Sequence, residues 1–127
     1  MLAVGVLVGL AAIAAPAPPP YLSVPRPPWP RALFHWLLSS DDYPAAALRA
    51  EEEGSVDFRL AVGKDGRVSA CTVTGTSGSA SLDSATCRLM KARSTFDPAR
   101  DRRGRPVAGS FDGRITWRID EPGTVVP

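Results

Sequence analysis

The chain has 127 residues, of which 44% are hydrophobic and 22% are charged, and its 15 basic and 13 acidic side chains give a formal net charge of +2. These values are typical of a globular chain with one small domain. The densest basic stretch, residues 100–105, is interrupted by Asp101 and Gly104 and has no interleaved aromatic side chains, so the sequence argues against nucleic-acid binding.

Residues 1–15 form an apolar run without a charged side chain. The run is shorter than the roughly 20 residues that cross a bilayer, and it contains Ala12-Ile13-Ala14, which matches a small-residue cleavage site. We therefore expect an exported protein. Two interpretations stay open, namely a signal peptide that is cleaved after export and a short membrane anchor that is retained.

Residues 16–42 are predicted to be a proline-rich spacer followed by a pre-domain segment. Eight prolines within residues 16–30 favour an extended polyproline II conformation, in which nothing globular forms. Ala32–Leu38 is apolar but too short to span a membrane, so we expect it to pack on the domain or to form an interface. Its His35 is the one histidine of the sequence, which leaves no second histidine to complete a metal site.

The first predicted helix runs from about Pro44 to Glu53. Asp41 or Asp42 can cap this helix, a proline suits its first turn, and Gly54 is expected to stop it.

Alternating apolar positions from Val56 to Val62 then predict a half-buried strand. The segment Lys64–Arg67 contains an Asp-Gly pair, which favours a tight hairpin turn into a second strand, Val68–Thr74.

A second helix is predicted to begin with Ser81 as its cap and to end before Asp97 and Pro98. Apolar side chains at helical spacing predict its buried face; they are Leu82, Ala85, Leu89 and Ala92.

The two cysteines, Cys71 and Cys87, lie in the second strand and the second helix. Since disulfides persist outside the cytoplasm, export favours a bridge between them, which would stabilise the fold by about 3 kcal/mol. The alternative is two small buried thiols.

The last predicted strand has the clearest alternation in the sequence and extends from Val107 to Ile119, some 40 Å at about 3.3 Å per residue. We expect it to be longer than the hairpin strands, so that part of its edge is left over. Gly109 and Gly113 on either side of Phe111 predict a bend or bulge.

The sequence offers poor material for catalysis. A nucleophile, a base and an orienting group are needed, yet the single histidine lies before the domain and the cysteines are expected to bond to each other. Ser77-Gly78-Ser79 does not form a nucleophile elbow, and no phosphate-binding glycine motif is present. We therefore expect a binding domain, with no enzyme activity, no cofactor and no metal.

The order of helix, hairpin, helix and long strand, together with short motifs between them, resembles the TonB C-terminal domain family. The resemblance covers Tyr43 to Ile119, within a domain predicted at residues 43–120 and followed by a tail at 121–127. The motifs that carry it are Asp42-Tyr43-Pro44 with Ala47, Gly54-Ser55-Val56, Asp65-Gly66-Arg67-Val68, Thr76-Ser77-Gly78, Leu82-Asp83, Phe96-Asp97-Pro98-Ala99 and Gly104-Arg105-Pro106-Val107.

The resemblance implies an α+β fold with two helices packed on a three-stranded antiparallel sheet. It also implies a periplasmic protein, free or anchored at the inner membrane, that binds the TonB box peptide of a TonB-dependent outer-membrane transporter and is driven by the inner-membrane ExbB/ExbD motor. Binding is by strand addition, in which a peptide pairs with an exposed sheet edge. An unpaired edge also permits a homodimer. The side chains predicted along the partner-binding edge are Val107, Gly109, Phe111, Gly113, Ile115 and Trp117.

The family also places the segment before its Tyr-Pro motif near the transporter peptide, which here implies contact by Ser40, Asp41, Asp42 and Tyr43. Two carboxylates at this place differ from the family pattern and would favour a basic peptide. The amino-terminal segment differs as well, because motor-coupled members carry a full membrane helix with a polar residue inside it. If residues 1–15 are cleaved, the protein is expected to be a soluble periplasmic interaction module with the same fold and without motor coupling.

Overall fold

The computed structural model describes residues 25–119. The predicted export segment, most of the proline-rich spacer and the tail at 121–127 lie outside the described residues. Within residues 25–119, no helix has the length and apolar character needed to cross a membrane.

The described chain contains seven strands and two α-helices, which are β1 (Trp29–Pro30), α1 (Ala45–Arg49), β2 (Gly54–Val62), β3 (Val68–Gly75), α2 (Ala80–Arg93), β4 (Phe96–Asp97), β5 (Ala99–Arg100), β6 (Pro106–Val107) and β7 (Gly109–Trp117). Two 3-10 turns, Phe34–Trp36 and Ser40–Asp42, follow β1. The predicted three-stranded antiparallel sheet is present, and its strand order is β3-β2-β7. Two shorter two-stranded pairings, β1 with β4 and β5 with β6, lie beside it.

The hydrophobic core lies on one face of β2, at the centre of the sheet. The predicted alternation of β2 is confirmed, since its four inward apolar side chains, Val56, Phe58, Leu60 and Val62, are all buried. Side chains of α2 belong to the same cluster. Trp117 of β7 is fully buried, and its indole N–H donates to the Thr86 hydroxyl of α2 at 2.8 Å.

Helix α2 begins two residues earlier than the sequence suggested. Ser79 is its cap, because the Ser79 hydroxyl oxygen accepts a hydrogen bond from the Leu82 N–H at 3.2 Å. Three of the four predicted core positions are buried, but Ala92 is exposed. The buried face turns instead towards Thr86 and Met90, which lie one turn apart and are fully buried.

Helix α1 is shorter than predicted and ends at Arg49 rather than near Glu53. Glu51 adopts a left-handed conformation with φ of 54°. Its N–H bonds to the Leu48 carbonyl and the Glu52 N–H bonds to the Ala47 carbonyl, which together form a Schellman motif. This motif ends the helix before Gly54 is reached. The predicted aspartate cap is also wrong, since Pro44 occupies the cap position without a side-chain bond.

The β2–β3 hairpin turn is confirmed at the Asp-Gly pair. Gly66 has φ of 80°, and a side chain there would lie 2.1 Å from the carbonyl oxygen of Phe96. The missing side chain lets the two main chains approach closely, and the Phe96 N–H donates a hydrogen bond to the Gly66 carbonyl at 3.0 Å.

The predicted disulfide is confirmed. Cys71 of β3 and Cys87 of α2 are bonded, with their Cα atoms 5.4 Å apart. The bridge fastens an outer strand of the sheet to the helix that covers it.

The final strand differs from its prediction in two ways. Ala108 separates β6 from β7, and β6 turns away to pair with β5. The remaining strand β7 has nine residues and pairs with β2 over its full length, so the excess length predicted for it is wrong. The predicted bulge near Phe111 is also wrong, since the β2–β7 register is continuous.

The carboxyl end of the predicted spacer lies on the domain. The main chain of Arg26 pairs with that of Arg100, and β1 pairs with β4 through Trp29 and Pro30. Pro28 is fully buried. The expectation that nothing folded forms in residues 16–30 is therefore wrong for residues 26–30.

Replacing Thr86 by valine should lower the free energy of unfolding by about 1–3 kcal/mol, because the buried Trp117 indole N–H loses its acceptor. Thr86→Ser keeps the hydroxyl and is the matched control, with a smaller expected loss. Urea denaturation of both variants measures the difference. Equal stability of the two variants would contradict a structural role for this hydrogen bond.

Candidate functional site

Strand β7 is the feature of the domain best suited to bind another chain. Within residues 25–119 it pairs with β2 on one side and with no strand on the other. The pairing runs without a register shift from Gly54 opposite Trp117 to Val62 opposite Gly109. The outer edge of β7 is therefore regular and extends about 30 Å. Alternate residues along it direct both main-chain hydrogen-bonding groups outwards.

The other outer strand of the sheet, β3, is less suited to pairing. Its register against β2 shifts twice, once beside Asp57 and once beside Ala61. Such bulges twist a strand and interrupt regular pairing, which protects sheet edges from adding further strands. The disulfide also fastens β3 to α2. Of the two edges, that of β7 has the geometry of a strand acceptor.

Close packing on the inner face of β7 accounts for the glycines at positions 109 and 113. A side chain at Gly113 would lie 2.6 Å from the Phe58 ring and 3.0 Å from the Phe34 ring. A side chain at Gly109 would lie 3.0 Å from Ala99 and 3.1 Å from Pro28. These glycines make room for packing and do not bend the strand.

Five of the six predicted edge residues lie in β7. The sixth, Val107, lies in β6 opposite Ala99, so the structure does not bring it to the same edge. Ile115 and Trp117 are buried and Phe111 is half-buried. Their side chains therefore support the core, and the contribution of β7 to binding would come from its main chain.

The opposite face of β7 carries charged side chains that reach back to β2. Arg114 donates to Asp57 at 2.6 Å, and Arg59 donates to Asp112 at 2.7 Å. Both pairs join residues directly opposite each other in the register. The hydrogen bond from Arg114 lowers the pKa of Asp57, and the hydrogen bond from Arg59 lowers the pKa of Asp112. Because Asp112 and Arg114 turn towards β2, they leave the outer edge clear.

The pre-domain segment covers the inner face of the β7 side of the sheet. The Phe34 ring lies 5.6 Å from the Phe58 ring and 5.5 Å from the Phe111 ring, in edge contacts with both. This contact agrees with the expectation that Ala32–Leu38 packs on the domain. The sequence did not indicate that Phe34 carries it.

Tyr43 has a structural role in the predicted peptide-contact segment. Its ring is buried edge-on against Trp117 at 5.3 Å, and its hydroxyl donates to the Glu52 carbonyl. Burial, followed by the charges of Glu53 and Glu52, raises the pKa of Tyr43. Ser40 and Asp41 are exposed beside it.

Asp42 is held by Arg93 at the end of α2. The two guanidinium nitrogens donate to the two carboxylate oxygens at 2.7 and 2.8 Å, and Arg93 also donates to the Leu37 carbonyl at 2.7 Å. The hydrogen bond from Arg93 lowers the pKa of Asp42 from 3.8 to about 2, against the effect of burial, and the Ser39 N–H lowers it further. No local sequence pattern indicates these contacts of Arg93, because its partners lie more than 50 residues away.

The described part of the chain, residues 25–119, does not offer a metal centre. Among residues 25–119, no group of three or more histidine, cysteine or acidic side chains is placed to hold an ion. Every buried side-chain nitrogen or oxygen in this range has a hydrogen-bond partner. What the site offers chemically is a row of main-chain donors and acceptors along β7.

Comparison with known proteins supports the resemblance found in the sequence. The family model described as Gram-negative bacterial TonB protein C-terminal matches residues 39–119, which is more than half of the chain. Searches of curated proteins and of solved structures found no match.

Replacing Asp42 by asparagine should lower the free energy of unfolding near neutral pH by about 1 kcal/mol. The expected loss is this small because the Arg93 side chain is partly exposed and solvent screens the ion pair. Since the folded-state pKa of Asp42 is about 2 and its ordinary value is 3.8, this contribution is complete above about pH 4 and is lost as the pH falls to 2. Denaturant unfolding at pH 6, 4 and 2 measures it.

The matched control for this change is Asp41→Asn, since Asp41 is an exposed neighbour outside the Arg93 contact. The control should follow the wild-type pH profile. If Asp42→Asn and wild type differ by the same amount at every pH, the ion pair is not the source of the stability.

Proposed function

Because the chain belongs to the TonB C-terminal family, whose domains serve transport in the envelope of Gram-negative bacteria, we propose that it binds a transporter peptide by adding it as a strand to β7. The observation that carries the proposal is the regular outer edge of β7, which no strand within residues 25–119 covers. The peptide is the TonB box of an outer-membrane transporter. Its main chain bonds to the alternate outward groups of residues 109–117.

The surroundings of β7 support this choice of edge. The inner face is already packed by Phe34, Tyr43 and the core, so a peptide would not need to open the fold. The charges of the opposite face are paired with β2. Main-chain bonds would therefore supply much of the affinity, and alternate side chains of the peptide would supply specificity.

The segment Ser40–Tyr43 contributes less to binding in this proposal than its family position implies. Asp42 and Tyr43 are committed to internal contacts, which leaves Ser40 and Asp41 exposed for a peptide. A single carboxylate at this place gives a weaker preference for basic peptides than two would.

Strand addition can be tested on the peptide without altering the protein. Two versions of a synthetic transporter box peptide carry N-methyl groups at alternate residues, odd positions in one and even positions in the other. In a bound strand, one set of peptide amides faces β7 and the other set faces solvent. The version methylated on the amides that face β7 should lose about tenfold or more in affinity for each missing hydrogen bond. The version methylated on the amides that face solvent should bind almost normally. Isothermal titration calorimetry measures both. Equal affinity of the two versions would refute strand addition.

Hydrogen exchange identifies the edge that is used. Upon binding of the unmodified peptide, alternate amides in residues 109–117 should become protected, while amides at the edge of β3 should keep their rates. Protection confined to residues 68–75 would place the peptide on the edge of β3 and would contradict the proposed binding to β7.

A second copy of the chain would compete for the same edge, since the groups that accept a peptide also accept another β7. We propose that a homodimer formed in this way excludes the peptide. The titration is therefore made at a concentration where sedimentation shows a monomer.

The two interpretations of residues 1–15 give different mature proteins, and we propose a periplasmic location for the domain in both. A retained anchor would allow coupling to an inner-membrane motor, whereas cleavage would leave a free periplasmic binder. Mass spectrometry of cell fractions distinguishes them: a soluble product that starts near Ala15 excludes motor coupling through this segment, and an intact Met1 in the membrane fraction supports it.

A further inference from the structure

Five arginines gather around the β5–β6 hairpin, and we call them the arginine surface. Three of them lie in the turn between β5 and β6, and a fourth, Arg100, ends β5. The fifth, Arg26, is joined to Arg100 by two main-chain hydrogen bonds of 3.0 Å. All five side chains are exposed. The members are Arg26, Arg100, Arg102, Arg103 and Arg105.

The fold gathers these charges against their mutual repulsion. Arg26 and Arg100 are direct partners across an antiparallel bridge, where like charges destabilise. In the described part of the chain, Arg26, Arg102 and Arg103 take part in no ion pair, and the Arg100 guanidinium donates to the Gly104 carbonyl at 3.0 Å. An anionic partner would relieve this repulsion.

The acidic groups nearby are already engaged. Asp101 accepts hydrogen bonds from the Arg103 and Arg105 N–H groups at 2.8 and 2.9 Å and lies 3.4 Å from the Arg105 side chain. Asp97 accepts a hydrogen bond from Arg31 at 3.0 Å. These carboxylates therefore shape the hairpin and its surroundings without neutralising the remaining arginines.

A large exposed indole lies beside the arginines. Arg26, Arg100 and Trp29 line one surface cavity of about 330 Å³, together with Pro27, Asp97 and Pro98. Trp29 is 66% exposed. Tryptophan is favoured at the headgroup level of membranes, and arginine forms strong charge-assisted hydrogen bonds with phosphate.

We propose that the arginine surface and Trp29 bind an anionic membrane surface through the phosphate groups of its lipids. Several arginines close together attract a negatively charged bilayer, and the neighbouring indole adds an apolar contact at its interface. A domain of the bacterial envelope lies within reach of phospholipid surfaces. This binding uses side chains at the β5–β6 hairpin and does not depend on peptide capture by β7.

The proposal is tested by partition of the full chain onto phosphatidylcholine vesicles with and without phosphatidylglycerol. Residues 1–15 carry no charged side chain, so their apolar contribution is similar for both kinds of vesicle, and the ratio of the two partition coefficients mainly reports the charged side chains. The ratio should exceed one and should fall as salt is added. Arg102→Gln with Arg103→Gln should lower it roughly 25-fold, at about fivefold for each arginine.

The matched control removes the same charge elsewhere. Arg49→Gln with Arg88→Gln alters two exposed arginines of α1 and α2 and should leave the ratio nearly unchanged. Trp29→Phe should abolish quenching of tryptophan fluorescence by brominated anionic lipids, whereas Trp36→Phe, at the other exposed tryptophan of residues 25–119, should retain it.

Three results would overturn the proposal: equal ratios in the two double variants, a wild-type ratio of one, or binding of inorganic phosphate or a soluble acidic polymer without vesicle binding. Affinity for the transporter peptide in solution should be the same in wild type and in the Arg102→Gln/Arg103→Gln variant. Failure of membrane binding is therefore distinguishable from failure of strand addition.

Discussion

The continuous pairing of β2 with β7 is the constraint on which the other features depend. Because side chains alternate along a strand, the nine-residue register decides at once which groups enter the core and which meet solvent. It places Trp117 against Thr86 and sets Arg114 opposite Asp57. A slip of one residue would bury the charged set and expose the aromatic set, so the register is strongly specified.

The same register leaves each face of β7 occupied while its outer edge stays open within residues 25–119. Helix α2 packs mainly on the β3 side of the sheet, and Phe34 of the pre-domain segment covers the β7 side together with Tyr43 of the domain. Arg93 connects α2 to the pre-domain segment, because its guanidinium donates hydrogen bonds to Asp42 and to the Leu37 carbonyl. A rigid, covered strand with an open edge is preorganised for a partner, because little of its structure must be reordered on binding.

The sequence predicted those parts of the fold that depend on local periodicity. Alternation identified the β2–β3 hairpin and β7, and helical spacing identified α2. Helix α1 is shorter than the sequence predicts, because Glu51 adopts a left-handed conformation that glycine usually provides. No residue type near Glu51 therefore indicates where the helix ends. Gly113 makes room for the Phe34 and Phe58 rings, which lie far away in the sequence. The sequence alone therefore suggests a bend at Gly113 instead of this packing. The Arg93–Asp42 contact joins residues 51 apart, and no local pattern encodes it.

The two proposed binding surfaces meet at one end of β7, and their combination has a consequence that neither has alone. Ala108 alone separates β6 from β7, and Gly109 packs beside Ala99 of β5 and beside Pro28, which directly precedes β1. A domain held at a lipid surface by the arginine surface would present β7 close to that membrane. A transporter peptide that emerges from the same membrane would then meet the edge at a raised effective concentration, so weak main-chain pairing would suffice for capture. Reversible contacts at both surfaces would also let the domain leave once the peptide is released.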